Sequence, residues 1–405
     1  MKNYPRLRCL KSLSKMMDDY YALRSGENTE RPVAYVTSGA PVEILEALGI
    51  TTIYPENYGA LCGARRASTP LCEIAESKGY PVDLCSYAKG HLAASMKPEK
   101  APLGGLPPPD FLLCCNNICQ TVVKWYQALS DYYGCPLFIV DVPFLNPKEK
   151  PEPVYLYLKS QFEELVPEIE RIAQTRLNRE YLSEVIYLSG QALSLWTEIR
   201  SMGRFKPSPV NVPDLFMAMA PIVVMRGKNQ AVSFYSEMLD ELKRRVTNGT
   251  AAVPGERFRL LWDNIAIWPQ LLPLYRLFAE RDGCFVVDTY TNSWSMNFGS
   301  EDDPFEGMAK VYSKAFINLD FQTRLEIIKC LARDYEVTGV VMHANRSCKP
   351  FSLCQPLLHR LLNKDLGLPC LILEADMSDT RAFNVNATKE RLSAFMEIVE
   401  IISES

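Results

Sequence analysis

The sequence lacks the features that mark membrane, secreted and nucleic-acid-binding proteins. No apolar run approaches the roughly 20 residues that a membrane-spanning helix needs. The N-terminus is charged and amphipathic, without the apolar segment of a secretory signal. A net charge of −4 offers no basic surface for nucleic acid. We therefore expect a cytoplasmic protein that binds neither membranes nor nucleic acid.

Several short catalytic motifs are also missing. The chain has no G-x4-G-K-S/T loop, which argues against ATP hydrolysis through a P-loop, and no G-x-G-x-x-G after a strand, which argues against a standard dinucleotide site. It has no G-x-S-x-G nucleophile elbow. The absence of C-x-x-C pairs disfavours a zinc ribbon or a thioredoxin-type dithiol.

Histidine is scarce, whereas cysteine is abundant. The three histidines, His91, His343 and His359, are too few for a His-rich zinc or non-haem iron site. The 13 cysteines are odd in number and scattered along the chain, so they do not form a disulfide scaffold. Any bound metal must be held mainly by sulfur, which indicates zinc or an iron–sulfur cluster.

The length of 405 residues, with 47% hydrophobic and 23% charged residues, is sufficient for two or three globular domains. Residues 1–30 are predicted to form an N-terminal helix and residues 31–146 a first α/β domain. The apolar–charged periodicity of residues 147–253 predicts a helical middle domain. Alternating strands and helices predict a second α/β domain over residues 254–405.

Residues 110–143 have the clearest local pattern. An apolar strand from Phe111 to Leu113 leads to the turn Cys114–Asn117, followed by a helix from Ile118 to Tyr133 and a strand from Leu137 to Val140. This order predicts a βαβ unit of a parallel sheet. Ligands bind at the carboxyl ends of such strands, and a helix N-terminus there favours anionic groups. The two thiols either hold an anionic cluster or are buried and inert.

The same pattern recurs in residues 337–376, with strand, His-Ala-Asn-Arg-Ser-Cys turn, helix and strand. Each unit delivers a cysteine from the carboxyl end of a strand. If the two sheets face each other across a cleft, Cys115 and Cys348 meet there. This repeated placement favours the cluster over two independent structural cysteines.

Other polar residues follow predicted strands of the two sheets. Ser38 follows the first strand, and either hydrogen-bonds a ligand or caps the next helix. Glu56 and Asn57 follow the second strand, and either contact a substrate or cluster or form a capping turn. His343, just before the Cys348 turn, either transfers protons or is a structural histidine.

The strings CNNIC, NRSCKP and PENYGALCGAR together resemble the 2-hydroxyacyl-CoA dehydratase / benzoyl-CoA reductase family, in particular the D-component of 2-hydroxyglutaryl-CoA dehydratase. The segments PVEILEALGI, RLLWDNIAIW, VVDTYTNSW and ADMSDTRAFN extend the resemblance over nearly the whole chain. The resemblance implies two parallel-sheet domains, Rossmann- or flavodoxin-like, that face a cleft containing an iron–sulfur cluster.

The resemblance also implies the residues of the site. By position, Cys85, Cys115 and Cys348 correspond to the three cysteines that hold a 4Fe-4S cluster in this family, which leaves one iron open. Apart from the resemblance, the positions of Ser38 and Glu56 after strands at the presumed cleft make them our candidate catalytic residues. Some relatives hold a larger double cluster with additional cysteines, and that alternative remains open.

The function implied is that of an iron–sulfur subunit of an anaerobic 2-hydroxyacyl-CoA dehydratase, a lyase. In these enzymes an ATP-hydrolysing iron–sulfur activator injects one electron, and the resulting ketyl radical of the acyl-CoA expels the hydroxyl group. A homologous second subunit completes the heterodimer. The alternatives are an ATP-dependent benzoyl-CoA (aryl-CoA) reductase subunit, a double-cluster reductase, and a non-catalytic electron-transfer subunit.

Overall fold

The structure, a computed structural model, describes residues 4–25, 31–145, 148–296, 298 and 302–404. Within these ranges it contains eight strands in two four-stranded sheets, and every strand pair is parallel. The predicted α/β class with two parallel sheets is therefore confirmed. None of the helices in the described ranges is long and apolar enough to cross a membrane.

The first sheet has the strand order β2-β1-β3-β4. Its strands are β1 (Val33–Val36), β2 (Thr51–Ile53), β3 (Phe111–Cys115) and β4 (Leu137–Val140). Helix α1 (Leu10–Ser25) precedes the sheet, and α2 (Val42–Ala47), α3 (Pro55–Ala64), α4 (Ser68–Ser77), α5 (Ser86–Met96) and α6 (Gln120–Tyr133) connect its strands. The short apolar runs form strands because helices cover the parallel sheet on both faces.

The helical middle segment follows β4. It consists of α7 (Glu152–Ala173), α8 (Arg179–Ser201), α9 (Val212–Ala218), α10 (Ala220–Val224) and α11 (Asn229–Thr247). Its apolar side chains share one core cluster with α1 and the first sheet, as Trp196, Val36 and Leu13 illustrate. The middle segment thus packs on the first sheet.

The second sheet has the corresponding order β6-β5-β7-β8. Its strands are β5 (Phe258–Asp263), β6 (Gly283–Asp288), β7 (Gly339–Asn345) and β8 (Cys370–Ala375). The accompanying helices are α12 (Leu271–Ala279), α13 (Thr289–Asn292), α14 (Pro304–Tyr312), α15 (Phe321–Asp334), α16 (Lys349–Ser352), α17 (Gln355–Leu366) and α18 (Val385–Glu404). Leu112 of the first sheet and Val340 of the second belong to one buried cluster, so the two halves are packed together.

The structure shifts several predicted element bounds. Strand β3 continues to Cys115, and α6 begins at Gln120 because the Sγ of Cys119 accepts a hydrogen bond from the backbone N–H of Val122 and caps the helix. Within the predicted 1–30 helix, α1 covers Leu10–Ser25, while residues 1–3 and 26–30 lie outside the described residues. The domain boundaries stay a prediction.

Candidate functional site

A cavity of about 460 Å³ lies between the carboxyl-terminal edges of the two sheets. Residues that follow strands of both sheets line it, namely Ser38, Glu56 and Asn117 from the first sheet and Ile265, Tyr290, Cys348 and Met377 from the second. Helix α1 and the segment from α9 to α10 close the remaining sides. This is the edge where open parallel sheets bind ligands.

Three cysteines from distant parts of the chain line this cavity: Cys85, Cys119 and Cys348. Each occupies the position immediately before a helix, respectively α5, α6 and α16. The free N–H groups at the start of a helix favour a negatively charged sulfur. At Cys119 one such N–H group, that of Val122, donates to Sγ at 3.4 Å.

The three thiols influence one another electrostatically. Burial raises the pKa of Cys119 to about 11 and that of Cys348 to about 12, while backbone N–H groups at the helix starts lower both. Burial also raises the pKa of Cys85, and the charges of Cys119 and Cys348 raise it further. As free thiols all three are neutral at pH 7, but a bound cation would deprotonate them.

Two of the three predicted ligands, Cys85 and Cys348, are therefore in the cavity, but Cys115 is not. Cys115 is the last residue of β3, is fully buried, and belongs to the apolar core shared with the middle segment. Its backbone N–H donates to the Thr37 hydroxyl at 3.0 Å. The expected meeting of Cys115 with Cys348 is corrected by the structure, because the strand continues through Cys115 and turns its side chain into the core.

Cys119 lies where Cys115 was expected. The sequence held a signal for it, since Asn116-Asn117-Ile118-Cys119 and Asn345-Arg346-Ser347-Cys348 share the spacing Asn-x-x-Cys. The sequence predicted a helix start at Ile118, which put Cys119 inside the helix. In the structure Cys119 instead lies directly before the helix, as Cys348 does.

Ser38 and Glu56, the predicted catalytic pair, are in direct contact at the cavity surface. The backbone N–H and the hydroxyl of Ser38 both donate to Oε2 of Glu56, at 2.7 and 3.0 Å. Burial raises the pKa of the Glu56 carboxyl, and the two Ser38 hydrogen bonds partly oppose this rise. Its Oε1 makes no hydrogen bond to any residue in the described ranges. The pair thus presents a carboxylate oxygen that can accept or hold a proton.

Arg226 contacts the backbone of Ser38 and so positions the Ser38–Glu56 pair. Its guanidinium is fully buried and donates to the carbonyl oxygens of Ser38 at 3.1 Å and Ala40 at 3.2 Å. Its Nε lies 3.6 Å from Oε1 of Glu43, whose other oxygen accepts the hydroxyl of Tyr312. The buried ion pair therefore holds the Ser38 turn in place. No local sequence pattern points to Arg226, because it lies 188 positions from Ser38 along the chain, in the helical segment.

Asn117 has an unused acceptor at the cavity. Its Nδ2 donates to the carbonyl oxygens of Gly39 at 3.3 Å and Tyr312 at 3.0 Å, while its buried Oδ1 has no partner. A Cβ at position 39 would lie 2.6 Å from this Oδ1, so glycine permits the close approach. Asn57, the other polar candidate, donates to the Tyr21 hydroxyl at 2.7 Å and joins α3 to α1.

His343 does not line the cavity. It is completely buried in β7, and one ring nitrogen, Nδ1, is 2.7 Å from the carbonyl oxygen of Ile265. Burial lowers its pKa to about 4. Of the two interpretations, the structure therefore favours a structural histidine.

The chain matches the family model of the 2-hydroxyglutaryl-CoA dehydratase D-component over residues 37–399. It is 34% identical to the (R)-2-hydroxyisocaproyl-CoA dehydratase alpha subunit of Clostridioides difficile, over 91% of this chain and 90% of the relative. It is 31% identical to the lactoyl-CoA dehydratase subunit alpha of Anaerotignum propionicum, over the same shares. Identity to a benzoyl-CoA reductase subunit of Thauera aromatica is 24%, over 92% of this chain and 90% of the relative.

Proposed function

Because the chain belongs to the 2-hydroxyglutaryl-CoA dehydratase D-component family, we propose that it is an iron–sulfur subunit of a 2-hydroxyacyl-CoA dehydratase. The convergence of Cys85, Cys119 and Cys348 on one cavity is the observation that supports this proposal best. The reaction would eliminate water from the acyl group of a coenzyme A thioester.

The donor set of the cavity fits an iron–sulfur cluster. Only three of the 13 cysteines, all of which lie in the described ranges, line the cavity, and no histidine joins them. Within those ranges no three His, Cys, Asp or Glu side chains are close enough to hold one metal ion. Cysteines of a cluster bind different irons and are therefore spaced more widely. We propose Cys85, Cys119 and Cys348 as the ligands, with Cys119 in place of Cys115.

Bound there, a 4Fe-4S cluster would supply a one-electron carrier with one Lewis-acidic iron that no cysteine occupies. The residues of this chain would do the rest. Asn117 offers its free Oδ1 to a donor group in the cavity. Glu56, oriented by Ser38, is placed to take or return a proton through Oε1. The apolar side chains that line the cavity exclude water from the site.

We further propose that the chain works with two partners, a homologous second subunit and an ATP-hydrolysing iron–sulfur activator. The relatives named as alpha subunits support the first partner. The absence of a Walker A sequence supports the second, because ATP would then be hydrolysed on another chain.

The residues that line the cavity also argue against two alternative functions, the double-cluster reductase and the non-catalytic electron-transfer subunit. A double cluster needs more thiols, yet Cys62 and Cys114, which lie close in sequence to the cavity residues, are buried and do not line it. A non-catalytic electron-transfer subunit has no use for a cavity with a half-buried carboxylate, that of Glu56. Both observations favour the dehydratase.

The test is anaerobic purification of the complex, followed by iron and sulfide analysis and by product analysis with 2-hydroxyacyl-CoA and benzoyl-CoA. We expect about four irons per chain, dehydration of the first substrate and no reduction of the second. Cys119→Ala should lose the iron, whereas Cys115→Ala should keep it. A colourless, iron-free protein after anaerobic reconstitution would overturn the proposal, and the opposite result for the two variants would restore Cys115 as the ligand.

A further inference from the structure

A set of apolar side chains lines the cavity, and we call this set the apolar wall. It is formed by side chains of three separate segments, Leu10, Met17, Met217, Met219, Trp294 and Met296. Helix α1 contributes the first two, α9 and its end the next two, and the chain before α14 the last two. The wall faces the same space as the three cysteines and Glu56.

The described residues that line the cavity carry negative but no positive charge. Among the described residues that line it, Glu56 is the only one with a carboxyl group, and none is lysine, arginine or histidine. A negatively charged group on a ligand would therefore find no cation at the cavity surface.

Two buried arginines, Arg226 and Arg324, contact residues that line the cavity but do not line it themselves. Arg226 is fully buried behind the surface, where it pairs with Glu43 and donates to the Ser38 carbonyl. The guanidinium of Arg324 lies 5.2 Å from the centre of the Phe316 ring and 5.7 Å from that of Phe351, and both rings line the cavity. Its Nη1 donates to the carbonyl oxygen of Pro350 at 3.3 Å, while Nε and Nη2 have no hydrogen-bond partner among the described residues. Neither guanidinium is therefore exposed at the cavity surface, where a ligand would meet it.

These observations decide what kind of acyl group fits. A carboxylate buried without a partner loses its hydration with nothing to replace it, and Glu56 would repel it further. An apolar side chain, by contrast, is stabilised when the wall removes its surface from water. The methionines add tolerance, because flexible thioethers adapt to branched and aromatic shapes.

We propose that this cavity selects 2-hydroxyacyl thioesters with a bulky, uncharged apolar side chain and rejects those with a second carboxylate. The inference rests on the proposed function, since it assumes that the acyl group enters this cavity. It goes further in naming the substrate class and the wall that selects it.

The first test measures binding to the anaerobically purified complex by isothermal titration calorimetry. The probes are 4-methylpentanoyl-CoA and glutaryl-CoA, which share the coenzyme A part and lack the hydroxyl group that would be eliminated. We expect Kd to be at least tenfold lower for 4-methylpentanoyl-CoA. Equal or tighter binding of glutaryl-CoA overturns the inference but leaves the dehydratase proposal standing. If neither thioester binds and neither 2-hydroxy derivative is dehydrated, both proposals fail.

The second test adds a cation to the wall. Met217→Arg should bind glutaryl-CoA at least tenfold more tightly than the unmodified complex, whereas Met217→Gln, of similar length and without charge, should not. Met17→Arg and Met17→Gln form a second pair on another helix, in case position 217 does not tolerate the change. If neither arginine variant differs from its glutamine control, the wall does not contact the acyl group and the inference is wrong.

Discussion

The backbone N–H of Ser86 donates a hydrogen bond to the hydroxyl of Ser347 at 3.2 Å, across 261 positions of sequence. Ser86 follows Cys85, and Ser347 precedes Cys348. Two cavity cysteines are thus joined through their direct neighbours. The Ser347 hydroxyl in turn donates to Asp376, whose other oxygen accepts the N–H groups of residues 378 and 379. The spacing of the two thiols is therefore set by a buried polar network.

The first prediction concerns this network. Ser347→Ala should lower the melting temperature, because the buried N–H of Ser86 and an oxygen of Asp376 lose their partner, at a cost of about 1–3 kcal/mol. We also expect faster loss of iron to a chelator, since Cys85 and Cys348 are no longer tied together. Ser183→Ala removes only an exposed hydroxyl and is the control. Equal chelation rates in the two variants would contradict a positioning role for Ser347.

The second prediction concerns Glu56. Glu56→Gln should retain the iron of the proposed cluster but lower turnover by about 10²-fold or more, because general acid–base catalysis typically contributes that much. Gln keeps the side-chain length and can still accept the Ser38 hydrogen bonds. Iron analysis and turnover of the same anaerobic sample provide the measurement. Unchanged turnover would exclude Glu56 from proton transfer.

The third prediction is a pH effect of Ser38. A base must be deprotonated, so turnover should fall as the pH drops through the pKa of Glu56, which burial raises above its usual 4.5. The Ser38 hydroxyl lowers this pKa by hydrogen bonding to the carboxylate. Ser38→Ala should therefore move the acidic limb of the pH–rate profile to higher pH. A limb that stays in place, or moves to lower pH, would be inconsistent with this assignment.

The fourth prediction compares two glycines. A Cβ at position 203 would lie 2.2 Å from the backbone oxygen of Val286, so Gly203→Ala should destabilise the fold by roughly 1–3 kcal/mol or more. At Gly190, inside α8, the nearest atom is a Cβ at 3.7 Å, and Gly190→Ala should stabilise the helix by about 0.5–1 kcal/mol. Thermal unfolding of both variants checks the opposite signs. Similar shifts in melting temperature would show that the close contact at position 203 relaxes freely.

Much of the fold was predictable because its signals are local. The strand from Leu137 to Val140 was predicted with the bounds that the structure has, since an apolar run lies between a Gly-Cys-Pro turn and Asp141. The long helices of the middle segment follow from their periodicity. Helix starts were less certain, because a cysteine cap, as at Cys119, is not among the usual N-cap residues.

The candidate site was predictable in part. Ser38, Glu56 and Cys348 line the cavity, as expected for residues that follow strands, and so does Cys85, which instead precedes α5. Cys115 does not, and the apolar wall was not foreseen. Its residues come from α1, from the helical middle segment and from the chain before α14, and no local pattern relates these segments to one another.

The amino-acid sequence by itself determined the two parallel sheets, the order of their strands along the chain and the family, because apolar runs, turn residues and motif strings are local properties. Only the tertiary structure decided that Cys119 faces the cavity while Cys115 enters the core. Cys115 ends a strand, whereas Cys119, four residues further along the chain, caps a helix. Which of the two side chains faces the cavity therefore depends on where the helix starts. The apolar wall and the Ser86–Ser347 hydrogen bond also form only in the tertiary structure. Both join segments that are far apart along the chain, so no short stretch of sequence contains them.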